Sequence, residues 1–197
     1  MKKTRRQNDT SVTRRAIEQE AARLMAVEGV AALNLSRIAD SLQMTHGNIY
    51  RHFPSKGALA AEVAAQWMVQ MRTACEKAVA RKRTVRSRLL ALVLTIREQL
   101  MLRADDDDAL SVYEFVLKHK PAEALAHHGH RQQLVATIMH QAGWPRTDHT
   151  AAQADAILDG LRFFTDPYAI SLNAGIDLSA RLESLVELLS DYIERKT

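Results

Sequence analysis

The chain has 197 residues, 47% hydrophobic and only 5% aromatic, with four prolines and seven glycines. That is enough apolar chain for a core without disulfides or metals, and the scarcity of turn formers points to an all-helical protein. The formal net charge of +4 is uneven: residues 1–56 hold ten Lys and Arg against five Asp and Glu, and the remainder is close to neutral, which directs a polyanion partner to the N-terminal part alone.

One cysteine, Cys75, excludes an internal disulfide and fits a reducing cytoplasm. No apolar run reaches the roughly 18 residues of a membrane span. The charged N-terminus leads into no apolar stretch of the kind a secretory signal needs. The expectation is a cytoplasmic protein without a membrane partner.

Residues 1–12 are polar, basic and aperiodic, and read as a flexible arm that includes Arg5 and Arg6. From Thr13, the residues Ile17, Ala21, Leu24 and Met25 recur at helical spacing, and Glu28-Gly29 ends the run. A short helix follows Ser36, its expected cap, with Ile38, Ala39 and Leu42 on one side. A second begins after Thr45 and runs to Phe53, with Ile49, Tyr50 and Phe53 as its apolar positions. Pro54-Ser55 breaks that helix and caps a long amphipathic one, marked by Leu59, Val63, Trp67, Met71, Ala74 and Ala78.

Val85 to Leu100 form the next helical face. The acid run Asp105–Asp108 then stands at the N-terminus of a shorter helix with Leu110, Tyr113, Val116 and Leu117, where the helix dipole favours negative charge. Pro121 opens a longer helix closed by Gly143 and Pro145; another spans Asp148 to Thr165 and stops at Pro167. Leu178 to Ile193 make the last. Nine helices are expected and no strand. The apolar face of the last helix, with Leu185, Val186, Leu188 and Leu189, is wider than one packing partner needs, which predicts a two-fold dimer through the last two helices.

The two short helices, separated by Gln43 to His46, have the lengths and the turn of a helix-turn-helix over about 36–53. The second presents His46, Asn48, Arg51 and His52 outward, and a helix of this size fits a major groove, where Asn and Thr read base edges. The chain therefore divides into an arm at 1–12, a DNA-binding domain at 13–57 and a helical domain at 58–197.

The segment IADSLQMTHGNIYRHFPSKGAL resembles the DNA-binding signature of the TetR family of transcriptional regulators. The matching positions are Ile38-Ala39, Thr45, Ile49 to Phe53, Ser55-Lys56 and Leu59. The resemblance implies a nine-helix, two-domain regulator: a three-helix N-terminal domain that binds an operator in double-stranded DNA, and a C-terminal bundle that dimerises and binds a small-molecule effector. It further implies repression that the effector relieves. Ile38, Ala39, Ile49 and Phe53 would then pack the three-helix core. Thr45, His46, Gly47 and Asn48 would lie at the bases, and Tyr50, His52 and Lys56, with Ser36 and Arg37, at the phosphates. Tyr50 can also be read as a half-buried aromatic, His46 as a solvated turn residue. In the turn, Leu42-Gln43 replaces the family's usual small residue and glycine, so Gln43 is expected to carry some strain.

The implied effector site draws Trp67, Met68 and Met71 from the fourth helix and Tyr113, Phe115 and His119 from the sixth, although such a stripe also serves as plain core. The segment from Leu161 to Pro167 resembles one that ends the eighth helix beside the dimer interface in some members. His119, His127, His128, His130, His140 and His149 raise the alternative of a metal or ligand carrier. Their spacing converges on no one centre, so surface histidines and no metal site are expected. No phosphate loop or nucleophile elbow is present, and neither an enzyme nor a cofactor is expected.

Overall fold

Every described element is helical. In the computed structural model of the chain, residues 2–101, 108–173 and 175–195 are described, with side chains for 11–101, 114–173 and 175–195. The helices are α1 (Lys2–Glu28), α2 (Leu35–Ser41), α3 (His46–His52), α4 (Lys56–Ala80), α5 (Val85–Met101), α6 (Asp108–His119), α7 (Pro121–Gln141), α8 (Asp148–Thr165), α9 (Pro167–Leu172) and α10 (Ser179–Arg195), with a 3-10 turn at Val30–Ala32. The nine helices expected from periodicity are all present. Beyond them, Asp166 accepts from Tyr168 N and Ala169 N, so Pro167 opens the six-residue α9 as well as ending α8.

The backbone of α1 is helical from Lys2, where an aperiodic sequence reads as an arm up to Val12. Nothing between residues 2 and 12 is Gly or Pro, so no residue type there interrupts a helix that Ile17 to Met25 anchor. The side chains of Arg5 and Arg6, and the acids Asp105 to Asp107, lie outside the described residues.

The chain forms two compact units, one of Met1–Trp67 with Asp107–Glu123, the other of Met68–Asp106 with Ala124–Thr197. They do not follow the 57/58 division that the sequence suggests. The first unit keeps the opening turns of α4 and gains α6.

Its core is Ile17, Ala21 and Leu24 from α1, Ile38 and Ala39 from α2, Ile49 and Phe53 at α3, and Leu59, Ala60 and Val63 from α4, with Trp67 and Phe115 packed against it. The second unit buries Leu89, Leu92, Val93 and Ile96 of α5 with Val135, Ile138 and Met139 of α7, Ile157 and Leu161 of α8, and Val186 and Ile193 of α10. Trp144 closes it: Nε1 donates to the Ile193 carbonyl at 2.8 Å, and the ring packs against Tyr192 at 5.6 Å between centroids. Among the described residues, no helix is long and apolar enough to cross a membrane.

Candidate nucleic-acid interface

Helix α2 starts two residues earlier than a cap at Ser36 implies, at Leu35, because Asn34 is the cap. Its Oδ1 accepts from Ser36 N at 2.9 Å and Arg37 N at 3.3 Å. Asn and Ser both suit the position, and Leu35 must turn into the core, where it is 5% exposed. That requirement places the cap at Asn34.

The turn after α2 carries the expected strain. Met44 N donates to Ala39 O at 2.8 Å and Gln43 N to Asp40 O at 3.1 Å, the paired bonds of a Schellman cap. Gln43 takes φ 53°, the one positive φ outside glycine among the described residues. The end of α7 has the same pair of bonds with glycine in that place, Gly143 at φ 97°.

Thr45 occupies the cap position of α3 without a capping bond from its side chain. Ile49 is 0% and Phe53 2% exposed, which fixes the inner face of α3. Opposite them His46, Gly47, Tyr50 and Arg51 are exposed, while Asn48 and His52 flank the core half-buried. Arg51, expected outward from the sequence, shares that outer face, although the family signature gives it no role. A Cβ on Gly47 would meet nothing within 4 Å, so the chain's own packing does not require glycine there.

Beside this face opens a cleft of about 480 Å³, lined among others by Ala31, Asn34, Tyr50, Ser55 and Lys56. Lys56 Nζ donates to the Ala31 carbonyl at 2.8 Å, which holds an ammonium at the rim. Ser55 caps α4 as expected, accepting from Ala58 N at 3.1 Å.

Two expected contacts are otherwise engaged. Arg37 makes two bonds of 2.6 Å to Glu28, which hold the Glu28 carboxyl below its ordinary range. His46 Nε2 lies 3.4 Å from Asp40 Oδ1. Burial, and after it the charges of Arg14 and Arg51, lowers the His52 pKa, so that ring is neutral at pH 7.

The recognition helix is held from behind. Arg14 of α1 donates to the His52 carbonyl at 3.1 Å and lies 4.2 Å from the Phe53 ring centroid. The same guanidinium meets Glu18 at 3.0 Å and Glu62 at 2.8 Å. Lys120 reaches the other Glu62 oxygen at 3.0 Å, so one carboxylate joins α1, α4 and the end of α6. Gly57 allows the close approach: a Cβ there would lie 2.6 Å from His119 Nε2 and 3.3 Å from Phe115.

The residues expected around an effector are divided between the two units. Trp67 and Phe115 pack on the first unit's core, and His119 rests at Gly57. Met71 belongs to the second unit's core, Met68 is buried, and the Tyr113 side chain lies outside the described residues.

The expectation of surface histidines fails at His127, which is 7% exposed. Burial, and then Arg131 and Arg72, pushes its pKa down to about 3. Position 127 falls on the inward stripe of α7 with Ala124, Val135 and Ile138, a signal visible in the spacing. Among the described residues no three His, Cys, Asp or Glu gather as a metal site.

Residues 17–63 match the model of the family described as bacterial regulatory proteins, tetR family. No curated protein matches the chain in sequence. Solved structures share the fold along nearly its whole length. SCO4454, a TetR-family transcriptional regulator from Streptomyces coelicolor, is 19% identical over 93% of this chain and 97% of its own, with a TM-score of 0.57. BioQ of Mycobacterium smegmatis is 19% identical over 92% and 97%, with a TM-score of 0.59. A structure of BioQ with its double-stranded DNA operator is 20% identical over 90% and 97%, with a TM-score of 0.56. The residues matched to the tetR-family model hold the helix-turn-helix, and the helical order of the whole chain is the fold that these solved structures share.

Proposed function

We propose that the chain is a homodimeric repressor that binds an operator through α3 and leaves it when a small molecule enters the second unit. The observation that carries the reading is the division of α3: a sealed apolar face at Ile49 and Phe53, and an exposed polar face at His46, Gly47, Tyr50 and Arg51 beside the Lys56 cleft. Thr45, His46, Gly47 and Asn48 read bases, with Gly47 leaving room for the DNA. Tyr50 and Lys56 hold phosphates at the cleft, His52 holds phosphate from the end of α3, and Ser36 assists from α2. Arg37 joins them by giving up Glu28, an exchange of one anion for another.

Dimerisation rests on α8 and α10. Leu182, Val186, Ser190 and Ile193 face the core, which leaves Leu188 at 69% and Phe163 at 37% exposure on the other side. Arg181 stacks over Phe163 at 5.0 Å, joining the two helices into one surface, and Gly160 adds no side chain to crowd it. A second copy covers that apolar surface. Helix α4 runs unbroken from Lys56 to Ala80, about 36 Å at 1.5 Å per residue, and carries effector binding to the spacing of the two recognition helices.

Selection of binding sites from random duplexes tests the assignment. Lys56→Ala is expected to weaken all sequences alike and to lower the salt slope by about one. Asn48→Ala is expected to change the selected base at one position of each half-site. The reverse pattern overturns the assignment of faces.

A further inference from the structure

We propose that the effector is a small organic carboxylate, held between the second half of α4 and the first half of α7 by Arg72 and His127. The inference rests on the effector reading above and names its chemistry.

His127 points into the second unit, and its Nδ1 is buried with no hydrogen-bond partner among the described residues. Buried polar atoms are almost always paired, and one left unpaired calls for a ligand or a water. Arg72 on α4 is half-buried beside it, close enough for its charge to act on the imidazole, and forms no ion pair with an acid among the described residues. Guanidinium groups are seldom taken out of water without an anion. A second one, Arg97 of α5, has a buried Nη1 without a hydrogen-bond partner among the described residues.

Charged groups surround His127 on three helices. On its own helix stand Arg131, His128 and His130. Across from it, α4 contributes Arg72 and also Glu76, which is turned to His130 at 3.4 Å. From α8 comes Asp155, which accepts from Gln132 at 2.6 Å and faces His128 at 3.2 Å. Each acid thus has its own partner on α7, and neither pairs with Arg72. On α4, Met68, Met71 and Cys75 are all buried, the last two within the second unit's core. A carboxylate with an apolar body answers both features. Its oxygens accept from the Arg72 guanidinium and the His127 ring, and its hydrocarbon lies along the methionines.

A bound anion also offsets Arg131 and Arg72, whose charges add to burial in keeping His127 neutral, so the ring gains a proton as the acid binds. Binding therefore tightens as pH falls toward 6 and draws protons from the buffer.

The full-length protein is titrated with a series from acetate to decanoate and with benzoate, each beside its primary amide, by calorimetry in two buffers of different ionisation enthalpy. At least one acid is expected to bind, take up protons and release the selected operator, while its amide does neither. Arg72→Met is expected to weaken the acid at least about tenfold, as for a lost charged hydrogen bond, and to leave the dimer intact. His127→Leu, which replaces an unpaired polar ring by an apolar group, is expected to fold at least as stably and to abolish proton uptake. Amides equal to acids, an unchanged affinity in Arg72→Met, or no response to any acid overturns the proposal. Release of the operator by a neutral compound overturns the anionic class and leaves the effector-released repressor standing; a protein that binds acids yet keeps its operator retains the site and loses the repressor reading.

Discussion

Replacing Glu62 by Gln keeps the shape of the side chain and removes the one charge that Arg14 and Lys120 share. Glu62 is 22% exposed, Lys120 26% and Arg14 40%, so the bonds are worth more than surface ion pairs at about 0–1 kcal/mol and less than fully buried charged hydrogen bonds at about 1.5–3 kcal/mol. The amide oxygen can still accept one of the two bonds. A loss of about 1–2 kcal/mol in the first unit follows, or a few degrees in its melting temperature. Function suffers by a separate route. Arg14 also binds the carbonyl at the end of α3, and a guanidinium released from Glu62 holds it less firmly. Operator affinity is expected to fall about tenfold with an unchanged salt slope, because none of the three side chains touches phosphate in this reading. Fluorescence anisotropy over a salt series measures both quantities, and Asp191→Asn, which removes only the exposed i,i+4 pair with Arg195, of about a few tenths of a kcal/mol, is the control. Unchanged affinity and melting would refute the bracing role. A changed salt slope would mean that the DNA senses the charge of Glu62 directly.

Gln43→Gly relieves a left-handed residue that costs roughly 1–2 kcal/mol, against somewhat under 1 kcal/mol of added chain entropy; chemical denaturation is expected to show a gain of up to about 1 kcal/mol, and a clear loss would mean that the Gln43 side chain contributes to the turn. His127 has its folded pKa lowered to about 3 from 6.5, so the unfolded chain binds the extra proton: stability is complete above about pH 6.5 and declines toward pH 3, by at most about 1.4 kcal/mol per pH unit. His127→Leu should flatten that part of the curve, and an identical slope in the variant would exclude His127 as its source. Leu188→Asp, at 69% exposure, is expected to leave helix content intact while sedimentation falls from twice 22.1 kDa toward one chain; a persistent dimer would move the interface elsewhere.

Periodicity made the helices legible, along with their inner faces and the strain at Gln43, because each of these is decided within a few residues of chain. It did not say which core an inner face would join. Trp67 and Met71 lie one turn apart on one stripe of α4, yet the first packs on the core of α1 to α3 and the second within the bundle. The change of partner along a single helix has no local signature. Pairings between distant elements were equally hidden: nothing in the sequence around Arg14, Glu62 or Lys120 marks them as partners. His127 escaped for the opposite reason. Its neighbours His128 and His130 are more exposed, and in so close a cluster only the spacing sets apart the one member on the apolar stripe.

The distribution of the two tryptophans has a spectroscopic consequence. Trp67 sits against the core of one unit, and Trp144 is sealed in the other with its indole N–H on a carbonyl. Trp67→Phe leaves an emission signal from the bundle alone, and Trp144→Phe one from the helix-turn-helix unit alone. Coincident denaturation curves from the two single-tryptophan proteins would make α4, shared by both units, the rod through which they melt together. Separate midpoints would make it a hinge between two bodies that lose their structure independently.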